Sequence, residues 1–342
     1  MTNVSSALAE SAADHALAAT PETVHWGYFS ANVESAIELR PGETIGIDTV
    51  NGGRDRLPED RNQFQVLPFH QKIIEECRPS LGPHILTGPV DIAGAKPGDL
   101  LCVKIRKVEL TQNWGWNEIC PGTGMISSLE TDVDNVIIPL DQTTGTIRIP
   151  WGNTVKAEPF FGVMGVKPQE TEGEVTSLVP GNFGGNIDLK FARPGTTVCI
   201  PVHIPGAGFS VGDGHALQGD GEIVGTAIET SLFGEFRLHI AENAATDYPF
   251  VLGPDWLIST ATNADLERAV AEALQQAVKL LCRYYQISPT DAYRHCGLLA
   301  DLRIAQMVNI NVGAYVLVQT TSLTPTDELR TLTQFTGEPD RL

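Results

Sequence analysis

Between His25 and Pro205 apolar and polar residues alternate in short runs closed by glycine and proline. That is the pattern of antiparallel strands with tight turns between them. One phrase recurs: a basic residue, Pro-Gly, a polar residue and then a strand, in RPGETIGID from Arg40, KPGDLLCVK from Lys96 and RPGTTVCIP from Arg193. Proline presets the first turn dihedral and glycine permits the second, so each phrase predicts a turn that launches a strand. A longer strand is expected from Leu100 to Leu110. After Pro254 the period changes to that of helices. Leu266, Val270, Ala273, Leu274, Ala277, Leu281 and Tyr284 recur at helical spacing behind Asn263 as a cap, and Ser288-Pro289 opens a second helix with Asp291 in its first turn. VGAYVLVQT then reads as a strand. The expected fold class is mainly β, with antiparallel β-sandwich or barrel-like units and a C-terminal α+β segment. Four regions follow: an N-terminal arm over 1–24, a β body over 25–253, an α+β segment over 254–323 and a polar tail over 324–342.

Composition narrows the function. The chain has 342 residues and is 42% hydrophobic, enough for a large core. Its formal net charge is -19, with 23 Lys and Arg against 42 Asp and Glu. Nucleic acid or an anionic membrane would need a basic face that this balance does not supply, so a small neutral or cationic substrate is favoured. Six cysteines are scattered without a CxxC pair, the pattern of reduced thiols in a cytoplasmic protein. No stretch is long and apolar enough to cross a bilayer. The N-terminus lacks a basic n-region and a continuous apolar core, so it reads as an arm and not as a signal peptide.

Candidate chemistry concentrates in FSVGDGHALQGDGEIVGTAIE, from Phe209 to Glu229, where Asp213, His215, Gln218, Asp220 and Glu222 lie among glycines. Strand parity puts Asp213 and His215 on one face. A two-residue turn at Asp220-Gly221 would leave Glu222 four residues from His215, ~13 Å at about 3.4 Å per residue. A wider loop, Gln218 to Gly221, halves that distance and is the expected geometry. A second stretch, NFGGNIDLK, follows two glycines with an alternating strand on which Asn186 and Asp188 share a face. Asp48 in ETIGID is a carboxylate on a strand, so it binds a cation or faces water at a strand end. His84 sits in a Gly-Pro frame, and Trp116 lies beside Trp114 among glycines as a pocket-wall candidate. Cys120 has no histidine close in sequence, and nothing singles it out as a nucleophile.

ETVHWGYF, LTGPVDIAGAKPGDLL, PFFGVMGVKP, NFGGNIDLK and VGDGHALQGDGEI occur in that order, and DAYRHCGLLADLRIAQMVN closes the series. Over about His25 to Thr320 the chain thereby resembles the acetamidase/formamidase family. The resemblance implies a mainly β fold with an α/β C-terminal part, a homo-oligomer, and hydrolysis of short aliphatic amides such as formamide and acetamide to carboxylate and ammonia. It also implies a metal near the GDGH stretch. Histidine with carboxylates suits zinc, so the expected ligands are Asp48, Asp188, Asp213 and His215. Glu222 is the expected proton carrier, because amide hydrolysis needs an activated water and a proton for the leaving nitrogen. His84, whose place is held by asparagine in other branches, is carried over as a pocket residue and a second catalytic candidate. Asn186, Gln218 and Trp116 are the expected substrate contacts. The competing class is a cupin-like, metal-dependent small-molecule binding protein, which GDGHALQGDGE alone would permit.

Overall fold

The three basic-Pro-Gly phrases do launch strands. In the computed structural model, which describes residues 5–336, Gly42, Gly98 and Gly195 have φ of 96°, 93° and 92°. The N–H groups of Glu43, Asp99 and Thr196 donate to the carbonyls of Arg40, Lys96 and Arg193, each at 3.1 Å. This is the type II turn, whose third residue needs a positive φ that glycine adopts without strain. The strands that follow are Thr44–Asp48, Leu100–Leu110 and Thr197–Pro201, and all three lie in one nine-stranded sheet.

A second, eleven-stranded sheet packs over the first. Ile45, Ile47, Val103, Phe236 and Leu238 of the first sheet join Phe161, Val163, Phe209 and Val211 of the second in one buried cluster. The ring of Phe236 lies 5.6 Å from that of Phe161 and 5.8 Å from that of Phe209, tying the layers together. Pairing is antiparallel nearly throughout, so the mainly β sandwich expected from the alternation holds. Two pairs depart from it: His15–Leu17 runs parallel to Thr44–Asp48, and Ile37–Leu39 parallel to Ile85–Ile92.

The C-terminal strands Trp256–Asn263, Val312–Gln319 and Ala300–Gln306 extend the nine-stranded sheet, while the helix Leu266–Tyr285 lies against them with Ala269, Ala273, Ala277, Leu281 and Tyr284 buried. Ser288 caps the second helix, Pro289–Leu299, by accepting from the Asp291 N–H at 3.1 Å. The cap of the first helix differs from expectation: Asp265 accepts from the Arg268 N–H at 3.0 Å. Asn263 is drawn into the sheet opposite Val312, and its side chain accepts from the Asp265 N–H one step earlier. Among the described residues no helix is long and apolar enough to cross a membrane.

Residues 5–24 lie against the body; residues 1–4 of the expected arm and 337–342 of the expected tail fall outside the described residues. Ser5 caps the short helix Ser6–Ala9, and its backbone N–H donates to Asp48 Oδ2 at 2.8 Å while its hydroxyl donates to Asp48 Oδ1. Asp48 is fully buried. Its carboxyl is pushed up by burial, and the two Ser5 bonds partly offset that push. Ser5→Ala removes one of these donors from a buried carboxylate. A loss of roughly 1–3 kcal/mol is expected, read as a lower denaturation midpoint; an unchanged midpoint would show that the contact contributes nothing.

Candidate functional site

The strand Phe209–Leu217 runs through the second sheet, bonded to Phe160–Gly165 on one side and to Ile85–Ile92 and Ile228–Glu229 on the other. Alternation sends Asp213 and His215 to one side, with His215 Nε2 3.1 Å from Asp213 Oδ2. Directly across the ladder from His215 stands Glu229, whose Oε2 is 3.2 Å from the same nitrogen. Asp188 enters from the segment after Gly184–Asn186, its N–H donating to the Gly162 carbonyl at 3.1 Å. Glu222 completes the cluster from the loop 218–227. One potential ligand atom from each of Asp188, His215 and Glu222 lies within 4.8 Å of the others, and the same is true of Asp213, His215 and Glu229. All five side chains are buried.

Three of the carboxylate residues sit in the left-handed region: Asp188 at φ 46°, Asp213 at 56° and Glu222 at 44°. Side-chain-bearing residues adopt it at a cost of about 1–3 kcal/mol each, and such strain gathers where function requires it. Gly162 shows what the twist achieves. A Cβ at this position would lie 2.5 Å from Asp213 Oδ2, 2.6 Å from Asp188 Oδ1 and 2.6 Å from His215 Cε1. Glycine therefore keeps open a small space bounded by three potential ligands.

The charge balance in this space is unfavourable. Burial disfavours the His215 cation, but Glu229 and Asp213 outweigh burial and hold its pKa well above the usual value. Burial would raise Asp213, yet the imidazoles of His215 and His84 bring it below the usual carboxylate range. Asp188 is pushed up to about 7, chiefly by burial and further by Asp213. Glu222 is held well above its ordinary value by burial and then by Asp188, and Glu229 is raised mainly by burial. Four buried carboxylates beside one imidazole cannot all ionise without further positive charge. Asp188 Oδ1 and His215 Nδ1 are buried without a hydrogen-bond partner. A mixed oxygen and imidazole set, an orphaned Asp188 oxygen and a space kept by Gly162 together fit a divalent cation.

A cavity of about 360 Å³ opens onto Asp213, Glu222 and Glu229. His84, Asn186, Trp26 and Trp116 form its walls. His84 Nε2 is 3.9 Å from Asp213 Oδ2, and its Nδ1 is fixed 2.9 Å from Ser177 Oγ. Asn186 Oδ1 is buried and has no partner. Three larger depressions, of about 790, 630 and 430 Å³, are lined by none of the five cluster residues.

The sequence-derived candidates thus divide. Asp188, Asp213, His215 and Glu222 meet, and His84, Asn186 and Trp116 face the cavity in front of them. Gln218 stands behind the cluster, its amide donating to the Asp188 carbonyl at 3.0 Å, so it supports Asp188 and does not line the cavity. Asp48 corrects the expected ligand set: both its oxygens are engaged by Ser5, and it belongs to neither ligand group. The loop is also longer than expected. The return strand is only Ile228–Glu229, because Gly221 docks on the end of Ala300–Gln306 instead of on its own hairpin. The Gly221 N–H donates to the Ala305 carbonyl, and the Met307 N–H to the Gly221 carbonyl, both at 3.0 Å.

That docking makes Glu229 the residue opposite His215, a role the sequence reading missed. Asn51 was missed as well; its amide donates to Glu229 Oε2 at 2.7 Å and Asp213 Oδ1 at 3.2 Å. So was Asn309, whose amide hydrogen-bonds Asp188 Oδ2. The signal for Glu229 was a lone carboxylate ending the apolar run IVGTAIE. Gly162→Ala tests the cluster without disturbing strand propensity, since the extended backbone there accepts alanine. The variant should fold and bind a divalent cation far more weakly than the parent chain; unchanged cation binding would show that the space by Gly162 is not a binding site.

The model of the acetamidase/formamidase family matches residues 13–176 and 171–327. A Schizosaccharomyces pombe protein named as a formamidase is 29% identical over 246 residues, 56% of this chain and 58% of that protein. A formamidase of Methylophilus methylotrophus is 25% identical over 218 residues, 48% of this chain and 53% of that one. The chain thus spans little more than half the length of these curated relatives. Among solved structures, a predicted acetamidase/formamidase of Thermoanaerobacter tengcongensis shares the fold, with a TM-score of 0.78 at 22% identity, covering 93% of this chain and 98% of the other.

Proposed function

The chain belongs to the acetamidase/formamidase family, and we propose that it hydrolyses small uncharged carboxamides, such as formamide and acetamide, at the buried cluster. Water adds to the amide carbon and the C–N bond breaks. The nitrogen leaves as ammonia with one proton taken from the water, and the second water proton passes from the acid to ammonia or solvent, leaving carboxylate. The observation that carries this reading is the meeting of four carboxylates and one imidazole at the end of a cavity, around a space that only glycine leaves open. Asp188, Asp213, His215 and Glu229 would hold a divalent ion, and zinc suits such a donor set. When bound, the ion supplies Lewis acidity to the carbonyl and lowers the pKa of water.

The protein's own groups do the rest. Asn186 Oδ1, buried and unpartnered at the cavity wall, accepts from the carboxamide NH₂ and orients it. Glu222 takes a proton from the attacking water and returns it to the departing nitrogen. Its environment favours the protonated state needed for the second step, through burial and the neighbouring Asp188 charge. His84 faces the same space, its Nε2 3.9 Å from Asp213 Oδ2, and adds to the larger effect of His215 in lowering the Asp213 pKa. Asn51 and Asn309 fix carboxylate orientations by donating to them. Cys120 lines the cavity but has no assigned part. The six unpaired thiols support a reducing, cytoplasmic setting, and the family reading extends to a homo-oligomer.

Ammonia release from formamide and acetamide, measured with and without a chelator alongside metal analysis, tests the proposal. Chelator-sensitive release is expected. Tight metal binding with no release from any amide would favour the metal-dependent binding protein instead. His215→Ala should lose metal and turnover together; unchanged stoichiometry removes His215 from the ligand set. Glu222→Gln keeps size and hydrogen bonding but cannot carry the proton, so turnover should fall roughly 10²-fold to 10⁴-fold at unchanged metal content and thermal midpoint. Loss of metal in that variant would make Glu222 a ligand, and near-normal turnover would end its catalytic role. Cys120→Ala should keep most of the turnover, whereas complete loss with metal retained would point to a covalent thiol mechanism.

A further inference from the structure

The cavity exceeds what the simplest amides fill. At the roughly 30 Å³ a water-sized group occupies, the four heavy atoms of acetamide take up about a third of the 360 Å³ present. The remaining space is walled by apolar surface, chiefly Trp26, Trp116 and Leu178. Both indoles are only 8% exposed, and they are set in place beforehand. Trp26 Nε1 donates to the Pro83 carbonyl at 2.8 Å. Gly52 lies so close to Trp116 that a Cβ there would come within 2.9 Å of Nε1, and a Cβ at Gly53 would be 3.6 Å from Trp26 Cζ2. Rigid aromatic walls bind an apolar group without the entropic cost of ordering them.

Charge narrows the class further. Arg56 is the cation at this cavity, and it is already paired: its guanidinium is 2.6 Å from Glu118 Oε1, salt-bridged to Asp55, and 5.8 Å from the Trp116 ring centre. Beyond it stand the carboxylates of the cluster. An acyl group carrying its own carboxylate would meet repulsion from these carboxylates and would find the Arg56 cation already engaged.

Resting on the amidase reading above, we infer that the cavity selects uncharged primary carboxamides with a bulky apolar acyl group that ends in a planar ring, the arylacetamide class, over acetamide and over anionic acyl groups. Phenylacetamide and acetamide share an sp³ carbon beside the carbonyl, so the comparison isolates the cavity from intrinsic reactivity. The purified metal-loaded chain should show a kcat/KM for phenylacetamide at least tenfold above that for acetamide, carried mainly by KM, and the lowest value of the three for succinamate. Equal or better use of acetamide overturns the inference while leaving the amidase reading intact, and so does efficient use of succinamate. Failure to release ammonia from any of the three removes both. Leu178→Trp, which fills half-buried space in the wall, should reduce the phenylacetamide-to-acetamide ratio at least tenfold; an unchanged ratio in the folded variant overturns the inference independently.

Discussion

Four carboxylates and an imidazole share a site from which water is largely excluded. Each buried charge costs several kcal/mol of lost hydration unless partners replace it. Asn51 and Asn309 donate to these carboxylates, and His215 provides one positive charge between Asp213 and Glu229. That is still too little for four anions. Burial first, and the neighbouring carboxylates next, push Asp188 up to about 7 and raise Glu222 and Glu229, so the bare cluster is balanced by protons it retains. A divalent cation would displace those protons, so cation binding and proton release are coupled here. Such a set of groups is easier to explain as a binding site than as a stabilising feature of the core.

Bringing four carboxylates to one imidazole exceeds what one strand face can do, and the fold solves this by recruiting distant segments. Asp213 and His215 come from one strand, Glu229 from its ladder neighbour, and Asp188 and Glu222 from loops. The left-handed residues turn their side chains inward, and their surroundings hold them there. Asp188 is clamped on both sides, its N–H on Gly162 and its carbonyl under Gln218. The loop of Glu222 is held through Gly221 by the end of the strand Ala300–Gln306, just before Asn309. The C-terminal segment therefore does more than cover the β body. It anchors one site loop and supplies a donor to another site residue.

Features of short range were legible in the sequence. The basic-Pro-Gly turns, the Ser288 cap and the shared face of Asp213 and His215 depend on dihedral preferences and period-two alternation within a few residues. Features that depend on docking were not. Glu229 acquires its place only because Gly221 leaves its own hairpin, and the alternation predicted over Asn186 to Phe191 ends early because Asp188 turns left-handed. Asp48 illustrates a different limit. A buried carboxylate does demand a partner, and the partner proved to be a serine forty-three positions earlier, in a segment whose composition suggested an arm. Local pattern identifies the demand but not the group that meets it.

The parts of the site also differ in how freely they can change. The cluster residues are buried against one another, and replacing the imidazole that stands between Asp213 and Glu229 would leave their charge uncompensated, at roughly 3–5 kcal/mol for a broken buried pair. Part of the outer cavity rim belongs to loops: Pro79, Pro83 and Thr123 are exposed, and Leu178 is half-buried. Substitutions at such positions usually change stability by no more than about 0.5 kcal/mol. On the proposed reading, acyl selectivity can drift across this rim while the groups proposed to break the bond stay fixed on the sheet and its pinned loops. The fold and the cluster would then constrain the reaction, and the loop residues around the two indoles would decide which amide reaches it.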